Sequence, residues 1–248
     1  MDCYTKQRIR ERTHVVIGLM SAEKLGVIAH FAGLDETSRV IDFGCGYGET
    51  LLSWAKNFGI SGIGIDISET HIEYAKNAIQ GSPFANKIDY VCTDATTYPF
   101  EPQSFDLAAC ITASNMFGEA DVMFGNAIKY MKAAIKADGY LLLVEPYYTR
   151  PNIPQELIDF EGNLPLEIDL LHTIQREGFE LVYMMHADRA DWDRYISSNL
   201  YYNTQWLREH RNHPEWQQKF QWNRCWQEMY VRYRSQYQQC VALLITRL

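Results

Sequence analysis

Three carboxylates and a run of glycines carry most of the chemistry that can be read from this chain. Val40-Ile41-Asp42-Phe43-Gly44-Cys45-Gly46-Tyr47-Gly48 sets an acid at the end of a β-branched run and follows it with glycines at alternate positions. Without Cβ atoms such a loop turns tightly and lets a ligand approach the backbone, while a following helix offers free N–H groups at its first turn. Asp66 closes Gly62-Ile63-Gly64-Ile65, twenty residues past Gly46, and Asp94-Ala95 follows a third apolar run. An acid in the second position accepts hydrogen bonds from ribose hydroxyls, and one in the third can take a ring amino group. Asp42 at the mouth of the loop would repel a pyrophosphate and suits a ligand carrying positive charge. The spacing Gly44-x-Gly46-x-Gly48 also departs from the Gly-x-Gly-x-x-Gly of nicotinamide sites, which argues against hydride transfer.

These acids need a scaffold that ends three strands at one crevice. Ser21 caps a helix with Leu25, Ile28, Ala29 and Ala32 inward, ended by Gly33. Strands are expected at 39–43, 61–67, 88–92, 105–111, 140–145, 179–185 and 240–248. Between them fall helices at 49–58, from Ser68 to about Gly81, around Val122, Ala127, Met131 and Ile135, and at 168–177. Such alternation predicts an α/β chain: a doubly wound, Rossmann-like, seven-stranded, mostly parallel sheet. Pro146 is expected to end the fifth strand and turn the chain toward the crevice. The organisation predicted is one domain over 1–248, with an N-terminal helical cap at 1–33 and a helical insertion at 191–237.

The chain has 248 residues, 47% hydrophobic and 22% charged, which excludes a collagenous or disordered chain and a disulfide-held miniprotein. Its formal charge of −8 divides into +3 beyond residue 190 and −11 before it, a poor balance for a nucleic-acid partner. The six cysteines never fall in Cys-x-x-Cys or zinc spacing, so free thiols and no metal are expected. Lys6, Arg8, Arg10 and Arg12 have no signal-peptide core behind them, and no run reaches the ~18 apolar residues of a membrane span. The expectation is a cytoplasmic protein without a membrane partner, monomeric or homodimeric. Five of the six tryptophans lie in the insertion, which reads either as a cover packed on the body or as a lid over an acceptor pocket. On the lid reading, Tyr195, Tyr201, Tyr202 and Trp206 line that pocket at helical spacing.

Taken together, Asp42-Phe43-Gly44-Cys45-Gly46-Tyr47-Gly48, Gly64-Ile65-Asp66 and Asp94-Ala95 resemble the class I S-adenosylmethionine-dependent methyltransferases. The resemblance runs from about Ser21 to the last strand. It is closer to a poorly characterised bacterial small-molecule group in Trp54-Ala55-Lys56-Asn57-Phe58-Gly59-Ile60, in Gly139 to Tyr148 and in Asp191-Trp192-Asp193-Arg194-Tyr195. The resemblance implies S-adenosyl-L-methionine as cofactor, with Gly44 and Gly46 at its methionine part, Asp66 at the ribose, and Asp94 and Ala95 at the adenine; Asp42 joins the cofactor-binding residues by its charge. Cys45, Ile67 and Thr112 complete that set. Thr112, Ala113 and Ser114 would floor the site near the methyl, and the last strand would insert antiparallel beside the fifth. Two departures stand out. Phe43 replaces a smaller aliphatic residue, and Thr112-Ala113-Ser114-Asn115 is unlike the Asn-Pro-Pro-Tyr motif of enzymes that methylate exocyclic base nitrogens.

Methyl transfer is an in-line displacement in which orientation supplies much of the rate, so a general base is optional. Candidates are His14, Glu145 and Tyr147, with Tyr147 also counted among the acceptor contacts; His172 and His186 read as structural. The reading favoured is transfer to a small-molecule acceptor. An RNA or protein methyltransferase would instead use the basic N-terminus and the arginines of the insertion. A non-catalytic cofactor-binding module is the remaining alternative, separated by whether product forms.

Overall fold

A computed structural model describes residues 18–248 of the chain. The order of elements is α1 (Ala22–Phe31), β1 (Arg39–Phe43), α2 (Glu49–Phe58), β2 (Ser61–Asp66), α3 (Glu69–Ile79), β3 (Ile88–Cys92) and β4 (Phe105–Ile111). A 3-10 turn (Ser114–Phe117) then leads to α4 (Met123–Met131), β5 (Ile135–Tyr148), α5 (Gln155–Glu161), α6 (Glu167–Arg176) and β6 (Glu180–His186). The insertion consists of α7 (Arg189–Glu209) and α8 (Trp216–Met229), and a π-turn leads from it into β7 (Gln238–Thr246). Ser21 and Ser68 cap their helices as expected, accepting from Lys24 N and His71 N.

The seven strands lie in the order β3-β2-β1-β4-β5-β7-β6. β1 to β5 are parallel, and β7 inserts antiparallel between β5 and β6 with Leu143 opposite Leu243. The order reverses at β1 and β4, so a crevice opens beyond their C-terminal ends, where ligands of doubly wound sheets bind.

Two expectations about β5 are corrected. Ile135, read as the end of a helical stripe, begins β5 opposite Phe105. Nor does Pro146 end the strand, which continues to Tyr148 opposite Gln238. β4 stops opposite Val144, so Pro146, with no N–H to give, falls where only β7 pairs with β5. Two short elements, the 3-10 turn and α5, carried no apolar period long enough to be read.

The sheet is buried on both faces. One face packs Leu25 and Ile28 of α1, Trp54 of α2 and Ile72 of α3, and also Trp192, Ile196 and Trp226 from the insertion. The other packs Ala127, Ile128 and Met131 of α4 with Leu170 and Ile174 of α6. The insertion is tied down by charge as well. Lys24 Nζ bridges Asp188 at 2.8 Å and Asp191 at 2.5 Å, joining α1 to the start of α7. Arg234 lies over the rings of Trp192 and Trp226 and pairs with Glu161. Through these contacts the insertion packs on the body.

Candidate active site

The glycine loop is built by exclusion of side chains. Gly44 has φ +82°, and a Cβ there would stand 2.5 Å from the Cβ of Ala113. Gly48, at φ +72°, carries the ring of Tyr90 2.4 Å from where its Cβ would be, and the Tyr90 hydroxyl donates to the Gly48 carbonyl at 2.6 Å. Only glycine meets both the left-handed backbone and the close approach. The amides of Gly44 and Cys45 both donate to Ile65 O, stitching the loop to the end of β2.

A cavity of about 520 Å³ follows the C-terminal ends of β1 to β4. It brings together every residue expected at the cofactor: Asp42, Gly44, Cys45, Gly46, Asp66, Ile67, Asp94, Ala95 and Thr112. Asp42 is 1% exposed, and its Oδ1 has no hydrogen-bond partner among the described residues. Burial, and then the charge of Asp66, push its carboxyl up to about 7. Asp66 is held differently. Burial alone would raise it, but His71, whose Nδ1 lies 3.4 Å from Oδ1, and the amides of Ser68 and Gly46 outweigh burial and keep it below the usual carboxylate range. Asp94 is exposed and lowered by the hydroxyl and amide of Thr96. Ile67, 60% exposed, presents an apolar side chain at the rim.

The same cavity is lined by Tyr47, Glu49, Thr50, His71, Ile111, Asn115 and Met116, none of which the sequence assigned to a ligand contact. A signal for some of them existed. Tyr47 lies inside the glycine loop, and Glu49, Thr50 and His71 lie in the first turns of the helices that follow β1 and β2. Phe43, the odd residue of the motif, is fully buried edge-on to Phe100 and Tyr130.

The expected acceptor contacts separate. Ala113 lines the cavity, but Ser114 is buried and its hydroxyl donates to Glu145 Oε2 at 2.8 Å. Tyr147 is buried in the α4–α6 face of the sheet, its phenol raised to about 12 by burial, and it lines none of the cavities described. His14 lies outside the described residues. Tyr195, Tyr201, Tyr202 and Trp206 are absent from the described lining of the cavity. Tyr195 packs against the core, Trp206 is buried and stacked on His210, and Tyr201 is 57% exposed. At 3.6 residues per turn, Tyr201 falls off the stripe that the other three share. Among the described residues no group of three His, Cys, Asp or Glu side chains could hold a metal ion.

Residues 40–139 match the family described as a methyltransferase domain. The uncharacterized protein YjhP of Escherichia coli (strain K12) is 27% identical over 207 residues, covering 80% of each chain. The ubiquinone/menaquinone biosynthesis C-methyltransferase UbiE of Geotalea uraniireducens is 30% identical over 113 residues, 44% of this chain and 46% of that protein. A SAM-dependent methyltransferase from Thiobacillus denitrificans, solved with S-adenosyl-L-homocysteine, superposes over the whole of both chains at a TM-score of 0.89 and 24% identity. Residues 40–139 thus match a methyltransferase domain, and the whole chain shares its fold with S-adenosylmethionine-dependent methyltransferases.

Proposed function

We propose that the chain binds S-adenosyl-L-methionine in the 520 Å³ cavity and transfers its methyl group to a small-molecule acceptor. The observation that carries this reading is the Asp42 carboxyl, buried and unpartnered beside the glycine loop. A polar group in that condition is costly unless a ligand answers it, and a cationic ligand answers a carboxyl best. Asp66, fixed by two backbone amides, keeps lone pairs for ribose hydroxyls. Asp94 and Ala95 stand at the end of β3 for the base, and Ile67 gives it an apolar flank.

When bound, the cofactor supplies a methyl carbon activated by an adjacent sulfonium. The chain's part is to orient and to exclude water. Thr112, at the end of β4, holds a left-handed backbone (φ +52°) that a β-branched residue rarely adopts. Its amide donates to Val144 O, so β5 helps fix that strained turn at the cavity wall. The small-molecule reading rests on the acidic body and on the quinone-pathway relative. Calorimetric titration with S-adenosylmethionine and its demethylated product tests the cofactor. Product formation with extracts split by size tests the acceptor: activity confined to the macromolecular fraction overturns the small-molecule reading.

A further inference from the structure

Next to the cofactor cavity lies a second one, of about 480 Å³, that shares Thr112 and Asn115 with it as a common wall. Its lining includes Ser114 and three acids, Glu119, Glu145 and Glu161, and no Lys, Arg or His among the described residues. Glu161 is already engaged by Arg234 and Gln238. Glu145 is 1% exposed; its Oε2 accepts from Ser114, and its Oε1 has no partner among the described residues. A cavity abutting the cofactor cavity, with a buried and half-satisfied carboxyl in its wall, suits a ligand that donates to Oε1.

Building on the cofactor reading above, we propose that this second cavity is the acceptor site and that the acceptor is a small amine whose nitrogen is received by Glu145. The alternatives fit less well. An anionic acceptor would bring further negative charge to a cavity with no cation, and a wholly apolar one would leave Oε1 unanswered. An amine supplies both a donor and, when protonated, the missing charge. The step then balances. The Glu145 carboxylate takes a proton from the ammonium and frees the nitrogen lone pair. That pair forms the N–C bond as the C–S bond breaks, its electrons passing to sulfur. The positive charge moves from sulfur to the methylated nitrogen, and Glu145 keeps the proton.

The other titratable groups facing Glu145 are Cys110 of β4, Cys240 of β7, and Glu119 and Glu161 of the cavity wall. Burial, with the charge of Glu145 adding to it, holds both thiols far above neutrality, so they do not titrate in the working range. Burial pushes Glu145 itself up to about 8 against the Ser114 hydrogen bond. At pH 7 it is mainly protonated, and pairing it with an ammonium must release close to one proton.

The test is calorimetry on the full chain saturated with S-adenosylhomocysteine. The probes are primary amines from ethylamine to phenethylamine, each beside the alcohol and carboxylate of the same skeleton. The expected result is an amine bound at least tenfold more tightly than its matched alcohol, with about one proton released at pH 7 in buffers of differing ionisation heat. Glu145→Gln should abolish that preference and the proton release while holding S-adenosylhomocysteine as the parent does. If that variant does not fold, the parent's amine-to-alcohol ratio and proton count decide alone. Homocysteine-analogue binding with no amine preference, or with equal preference in a folded Glu145→Gln, overturns the amine site and leaves the cofactor reading standing. Failure to bind S-adenosylhomocysteine at all overturns the cofactor reading instead.

Discussion

Asp42 and Asp66 end adjacent parallel strands, and their carboxyls are driven in opposite directions. Asp42 is buried without a partner and raised to about 7, partly by the charge of Asp66, while Asp66 is held below the usual range by His71 and two amides. One carboxyl is therefore ionised throughout the working range, and the other becomes so only near neutrality. The raised carboxyl stabilises the folded chain fully below its unfolded value near 4, and that contribution is lost as pH rises through 7. Asp42→Asn should therefore melt higher than the parent at pH 8, by at least about 2 °C for a chain of this size, with little difference at pH 4. Thermal melts across that range check it. A parent–variant gap that does not widen with pH would show Asp42 to be ionised and paired already.

The same carboxyl should couple cofactor binding to pH. A cationic ligand draws Asp42 into its charged form, so affinity for S-adenosylmethionine should rise from pH 5.5 to 7.5, by up to about tenfold per unit below 7. Asp42→Asn should flatten the profile. Calorimetric titration at several pH values reads both.

Gly44 and Gly81 separate space from backbone strain. Both have positive φ, +82° and +74°, but a Cβ at Gly81 meets nothing within 4 Å while one at Gly44 meets Ala113 at 2.5 Å. Gly81→Ala should cost roughly 1 kcal/mol of stability and leave cofactor binding intact. Gly44→Ala should cost more and weaken the cofactor by at least about tenfold, since the loop must move from the ligand it cradles. Equal cofactor affinity in the two variants would remove Gly44 from the site.

Asp66→Ala leaves the amides of Gly46 and Ser68 without their acceptor and, on the proposed cofactor reading, the ribose without its partner. Hydrogen bonds to a charged group are worth about 1.5–3 kcal/mol, so cofactor affinity should fall roughly ten- to a hundredfold. Titration of a folded variant decides the point, and unchanged affinity would exclude Asp66 from ribose recognition.

How much of this could be read in the sequence follows from how local each signal is. β1, α2, β3 and β4 were legible to the residue because glycine, serine caps and apolar period mark them within a few positions. That the nine residues expected at the cofactor would line one cavity was legible because each sits at or just past a strand end, where the crevice must be. The length of β5 was not legible, because its last turn of pairing is with residues some ninety positions on. Nor was the neighbouring cavity, whose wall joins Ser114, Glu145 and Glu161 from three separate elements. The surroundings of Tyr201 and Trp206 were not legible for a related reason: helical spacing shows which residues share a face but not what that face meets.

Tyr201 and Trp206 should separate in stability. Trp206, buried and stacked on His210, should cost about 3–5 kcal/mol when truncated to alanine. Exposed Tyr201 should change stability by no more than about 0.5 kcal/mol. Thermal melts with S-adenosylhomocysteine titrations distinguish them, and a large loss in Tyr201→Ala would restore that residue to a structural or ligand-contacting role.

The place of β7 sets an order on synthesis. β6 ends at His186 and has β7 as its sole neighbour in the sheet, and β7 does not begin until Gln238. A ribosome adding ~5–20 residues per second needs several seconds to cross the intervening insertion. For that interval β6 has no strand to pair with, and the β7 side of β5 is open as well. The helices of the insertion emerge during those seconds, and Trp192 and Ile196 can begin to cover the sheet before its last strand is made. The antiparallel insertion therefore makes completion of this sheet a closure in its interior, not an addition at its edge.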